Sequence, residues 1–294
     1  MVERDGILPE GSRLNMSFDK LFDLDQKYLY LVLAIMVSIP IIKPLGLPVV
    51  PGTYTKGTYD FISSLPEGSV FVLDAAQTAG YGAELQTQYV AILRHLLSLD
   101  VKLVIVSFAA EGPMLVDMGF AGGTISGTPV DPAFYGDVYG EDYVYLGFIP
   151  GGETAFFAFG LDCWMTKVDE YGTPLEDLPI MQYCKTGEDW YGIMSFAGGN
   201  HEQRIAQWNS VYGVPLLFGV PGVSAPRMYS YIATGQVESM LVSLIGAAEY
   251  EMLSGKVGLA SSLMDVLSLG QITIVFFIIL GNIGYYIERR RGVK

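Results

Sequence analysis

The stretch 70–108, VFVLDAAQTAGYGAELQTQYVAILRHLLSLDVKLVIVSF, decides the fold. Its first five residues, Val70-Phe71-Val72-Leu73-Asp74, run apolar without alternation up to the aspartate, as a strand buried on both faces does. Residues 83–99 then set Leu85, Tyr89, Ile92, Leu93, Leu96 and Leu97 on one helical face, and 101–108 (VKLVIVSF) return to a continuous apolar run. Strand, helix, strand with both strands apolar throughout predicts a parallel βαβ unit. The fold class that follows is α/β: a three-layer domain with a mainly parallel sheet.

Outward from this unit, further strands are predicted at 143–149 (YVYLGFI), 190–196 (WYGIMSF) and 214–220 (VPLLFGV). A short element is expected at 154–159, and helices at 202–212, 227–233 and 236–254. In the last of these, Val237, Met240, Leu241, Leu244, Ile245, Ala248 and Met252 lie at helical spacing. Residues about 119–187, rich in Gly, Pro, Thr and Tyr, read as an irregular insertion, and 51–69 read as a linker. The whole of 51–265 is taken as one domain.

The flanks are different. Residues 28–50 open with YLYLVLAIMVSIPII and contain one lysine, Lys43, while 266–287 (VLSLGQITIVFFIILGNIGYYI) carry no charge. A span needs about 20 apolar residues, so both are expected to be transmembrane helices. Residues 1–27 hold a mixed-charge tail that lacks the short basic start of a signal peptide. Arg289, Arg290, Arg291 and Lys294 in the 288–294 tail, with Arg13, Lys20 and Lys27 before the first span, predict both termini cytoplasmic and the central domain extracytoplasmic in a multi-pass cell-membrane protein. Gly270, Gly281, Asn282 and Gly284 are the expected helix-packing residues of the second span.

Over 294 residues the chain is 51% hydrophobic and only 16% charged, which excludes disorder; its mean hydropathy of +0.37 reflects mainly the two flanks. The net charge of -14 divides unevenly: residues 51–265 hold 8 basic and 24 acidic side chains, net -16, against +2 elsewhere. So acidic a domain excludes nucleic acid as a partner and disfavours close contact with anionic lipid headgroups. It leaves room for a small ligand or a cation at the exterior domain. Cys163 and Cys184 are the only cysteines; an oxidising exterior would permit a disulfide, and the flanking aromatics Trp164 and Tyr183 suit two buried thiols equally.

In an open α/β sheet, ligands sit beyond the carboxyl ends of the strands. Those ends here offer Asp74 with Gln77 and Thr78, then Glu111, then Gly151-Gly152-Glu153, then Gly198-Gly199-Asn200-His201, then the loop running to Arg227. Gln77, Glu111, Gly151, Gly152, Glu153, Asn200 and Arg227 are the candidate ligand-binding residues. Asp74 and Glu84 are a candidate carboxylate pair, and His201 a candidate base. No P-loop, G-x-G-x-x-G, G-x-S-x-G or zinc-type His/Cys spacing occurs, so no cofactor or metal is expected. The expected function is a membrane-anchored binding or assembly module, associated with the lipid bilayer as a homo-oligomer or with other membrane subunits; its 19 tyrosines suit recognition surfaces. The alternative is an ectoenzyme of hydrolase type using Asp74 and His201.

Overall fold

The structure is a computed structural model that describes residues 26–43, 45–121 and 130–291. Most of the expected N-terminal tail, part of the expected insertion and the end of the basic tail lie outside the described residues. The chain divides into two compact units, Leu47–Ser261 and a second made of Met1–Gly46 with Ser262–Lys294.

Unit Leu47–Ser261 is built on six strands: β1 (Val70–Asp74), β2 (Lys102–Ser107), β3 (Tyr143–Phe148), β4 (Trp190–Phe196), β5 (Leu216–Val220) and β6 (Ser239–Val242). They form one sheet in the order β3-β2-β1-β4-β5-β6, and every pairing is parallel. The winding direction therefore reverses between β1 and β4, where Asp74 stands beside Ser195. Alternate residues of each strand enter opposite cores. Val70, Val72, Val104, Val144, Ile193 and Phe218 belong to one, and Phe71, Leu73, Leu103, Tyr145, Met194 and Leu217 to the other. Two apolar faces are the reason the strands show no polar alternation. Each such side chain contributes roughly 1.5–3 kcal/mol when fully buried.

Five of the predicted strands fall within a residue or two of their observed bounds. The sixth corrects the reading of 236–254 as one helix: Ser239–Val242 is a strand, and only Ser243–Leu253 is helical. Val237, Met240, Leu241 and Leu244 are all buried, so burial on both sides of a four-residue strand imitated a helical stripe. Ser243, at φ 56°, makes the break without a glycine.

The insertion at 119–187 is narrower than expected, because β3 is an edge strand of the same sheet and Glu153–Leu161 is a helix against its core. Among the described residues of the insertion, irregular chain occupies 136–142 and, with 3-10 turns, about 162–189. Among the described residues three α-helices were not foreseen: α1 (Thr53–Ser63), inside the expected linker, α2 (Gly112–Ala121), and the one-turn Pro132–Tyr135. Gly112 is required for close packing, since a Cβ there would lie 1.8 Å from Ser107 Oγ and 2.6 Å from the Ala75 carbonyl oxygen.

In the second unit, the apolar helix Gln26–Ile42 stops well short of the expected end at residue 50. At 1.5 Å per residue its 17 residues reach about 25 Å, under the ~30 Å of a bilayer core. Pro40 lies inside it, and Gly46 at φ 65° turns the chain away beyond it. Only Leu259–Arg291, with its segment Leu259–Tyr286, is long and apolar enough to cross a membrane among the described residues. The Asp265 carboxylate accepts from the Leu45 and Gly46 amides at 2.7 and 2.9 Å, so the chain leaving the first helix is tied to the start of the last. Of the expected packing residues, Gly270 faces Val37, Gly281 has open space around it, and Asn282 donates to its own helix at Ile278. Gly284 lies in the same helix.

His95, at the end of the helix Gly82–Leu96, places Nδ1 2.6 Å from the Tyr250 hydroxyl and stacks on Tyr59. Burial first, then the nearby Lys256 charge, lower its pKa to about 4. An unfolded chain takes up this proton near pH 6.5, which the folded one refuses until about pH 4. The stability contributed is complete above pH 6.5 and is lost as pH falls through that window. Melting His95→Gln between pH 4 and 7 is expected to give a shallower loss of Tm than wild type, with buried His201, whose pKa is also lowered, supplying the residual slope.

Candidate functional site

At the reversal between β1 and β4 a cleft of about 220 Å³ opens at the carboxyl ends of the strands. Ala76 and Thr78 follow β1, Phe108 and Ala109 follow β2, Gly152 follows β3, and Gly198, Gly199 and Asn200 follow β4; Tyr81, Phe156 and Arg204 complete the wall. Parallel strands place all these loops on one side, as their common direction requires.

Arg204 organises this wall. Its Nε donates to Asp74 Oδ2 at 2.6 Å, with both side chains almost fully buried, and its Nη1 donates to the Gly199 and Asn200 carbonyls at 3.2 and 3.3 Å. Its guanidinium carbon lies 4.4 Å from the centre of the Phe156 ring. Ser195 Oγ also donates to Asp74 Oδ2 at 2.6 Å. Asn200 sits in the left-handed region at φ 58°, a conformation asparagine tolerates, and thereby turns the loop into the helical segment that carries Arg204. Gly198 permits a close approach: a Cβ there would stand 2.6 Å from the Tyr81 ring.

The candidate residues separate into groups. Gly152 and Asn200 line the cleft. Gly151 is beside it at φ 127°, and Gln77 lies between two lining residues but is itself fully buried. Glu111 accepts from the Ala79 amide and so braces the loop after β1. Glu153 accepts from Gln207 Nε2 at 3.2 Å, and Arg227 is exposed on the helix Ala225–Ala233. The carboxylate pair does not form a unit, since Asp74 is held by Arg204 and Ser195 whereas Glu84 accepts from the Gly222 amide at 2.9 Å. His201 is fully buried, with Nε2 2.9 Å from the Ala197 carbonyl oxygen and its ring against Phe218. Burial lowers its pKa, so it is neutral at pH 7 and donates from Nε2. Asp74, Glu84 and His201 thus share no hydrogen bond.

Sequence reasoning missed Arg204, Tyr81, Phe108 and Phe156. Comparison of the chain with family models, with curated proteins and with solved structures finds no match.

Replacing Arg204 strands a buried carboxylate, which costs roughly 3–5 kcal/mol, whereas replacing both partners of such a pair is often neutral. Unfolding of the detergent-solubilised chain is therefore expected to show Arg204→Met destabilised by about that amount, and the double variant Asp74→Leu/Arg204→Met restored by most of it.

Proposed function

We propose that the chain is a membrane-anchored binding module whose α/β domain takes a small polar organic molecule in the cleft between β1 and β4. The observation that carries this reading is the position of the cleft at the strand reversal, with glycine-bearing loops from several strand ends around it. Its chemistry is mixed. Thr78, Asn200 and the backbone of Gly198 and Gly199 offer hydrogen bonds, Tyr81, Phe108 and Phe156 offer apolar wall, and the charge of Arg204 is already balanced by Asp74. A compact ligand with a polar end and an apolar body suits such a site better than a multiply charged one. The hydrolase reading gains no support from the geometry, because its three candidate residues each have a separate partner.

In this proposal the chain is anchored at both ends, with both termini cytoplasmic and the α/β domain outside. The apolar side chains exposed on both helices, including Ile35 and Ile39 on the first and Ile272, Phe276 and Ile279 on the last, favour lipid as their surroundings. The link from Leu45 and Gly46 to Asp265 favours a chain that leaves and re-enters the bilayer on one side. The short first helix would then be accommodated by local thinning of the bilayer. Association of several copies, expected from the tyrosine-rich loops, is a separate part of the proposal on which binding does not depend.

Thermal-shift measurements on the full chain in mild detergent, with a panel of amino acids, small carboxylates and monosaccharides, are expected to find a stabilising ligand. Gly199→Leu should abolish that response: Gly199 lines the cleft and a Cβ there meets nothing within 4 Å, so a side chain can start from this wall. No stabilisation by any member of the panel would count against the pocket.

Sidedness is tested separately with a cysteine placed at Val223, which is 75% exposed. An impermeant maleimide is expected to label it in intact cells; labelling only after permeabilisation would put the domain on the cytoplasmic side.

A further inference from the structure

We propose that Cys163 and Cys184 are joined by an intramolecular disulfide that staples the irregular segment between them. Both are fully buried in the same core cluster, and in the structure both are free thiols. Their backbones are held side by side: the Cys163 amide donates to the Lys185 carbonyl at 2.8 Å, while the Trp164 ring N–H donates to the Cys184 and Met181 carbonyls at 3.0 and 3.1 Å. The two side chains lie in the same buried cluster, close enough for each thiol to affect the other. Tight backbone docking on both sides of a buried thiol pair is the arrangement a disulfide needs.

The segment also has use for a covalent closure. Between the two cysteines the chain makes only the 3-10 turns Leu175–Asp177 and Pro179–Tyr183 and an isolated bridge of Val168 with Pro174. Such a segment has few ladder hydrogen bonds to resist opening. A cross-link over a loop of roughly 20 residues restricts its unfolded ensemble substantially.

The oxidant is a low-molecular-weight disulfide such as oxidised glutathione. One cysteine thiolate attacks it, forming a mixed disulfide and releasing one thiol; the second cysteine then displaces the other thiol. The Cys163–Cys184 S–S bond forms, the reagent's S–S bond breaks, and two electrons and two protons pass to the released thiols. The folded thiol pair reacts poorly, because the neighbouring Cys184 thiol and burial push the Cys163 thiol up and little thiolate is present. Closure therefore accompanies folding.

The experiment does not depend on which side of the membrane the domain occupies. The full chain is synthesised cell-free into detergent micelles in a buffer of oxidised and reduced glutathione, denatured, and treated with a maleimide before mass measurement. The expected result is a monomer with no maleimide, and two after prior reduction. Two maleimides without reduction, a glutathione adduct or a disulfide-linked dimer would each overturn the bond. Reduction should also lower the Tm of the wild type by about 6–12 °C and leave Cys163→Ser/Cys184→Ser unmoved. An unchanged wild-type Tm would overturn the stapling role.

Discussion

A carboxylate with no solvent exposure keeps its charge only when an opposite charge and hydrogen bonds replace the lost water. At Asp74, Arg204 and Ser195 both bind Oδ2, while the buried Oδ1 has no hydrogen-bond partner among the described residues, and the consequences of the Arg204 contact reach across the site. Ser195 belongs to β4, and Arg204 comes from the helical segment after it, so the contact joins β1 to its neighbour at the strand reversal. The same guanidinium fixes the Gly199 and Asn200 carbonyls and covers the Phe156 ring. The shape of the cleft is set by one cation with several simultaneous obligations.

Packing beneath the cleft holds that cation in place. Phe156 meets Phe108 edge to face at 4.9 Å and Trp208 at 5.4 Å, and the Trp208 ring N–H donates to the Phe156 carbonyl at 2.9 Å. On the other face Tyr89 stands edge-on to Phe196 at 5.5 Å. Between the faces, Gln88 reaches the Val220 and Ser243 carbonyls and so ties the helix Gly82–Leu96 to the ends of β5 and β6. The cleft loops are thus mounted on rigid elements, which limits how far a ligand can remodel them.

The α/β class was legible because parallel strands covered on both faces must be apolar along most of their length, and 70–73, 103–106 and 190–194 show no polar alternation. Where one element ends and another begins was less so. A four-residue strand such as β6 is too short to show a period of two, and its apolar residues merged with those of the helix that follows. The helix Thr53–Ser63 is polar enough to pass for a linker, yet Thr55, Thr58 and Ile62 are buried. At the site, glycine-bearing strand ends pointed to Gly152 and Asn200. Arg204 stayed hidden because its role depends on a partner far away in the chain; the available signal was an arginine on the first turn after a strand-end loop, in a domain with few basic residues.

Both borders of the sheet are already occupied. Along β6 lies the helix Thr53–Ser63, with the Ser239 hydroxyl bonded to the Tyr54 carbonyl and Gly57 so close that a Cβ would stand 2.9 Å from Ser239 Oγ. Along β3 the Tyr145 carbonyl accepts from the Glu170 amide at 3.0 Å, and that of Tyr143 from Gly140 at 2.8 Å. An uncovered border would be a template onto which another chain could add a strand. With this route closed, copies that associate must meet through helices, loops or membrane segments, and the sheet itself is guarded against fibre-like growth.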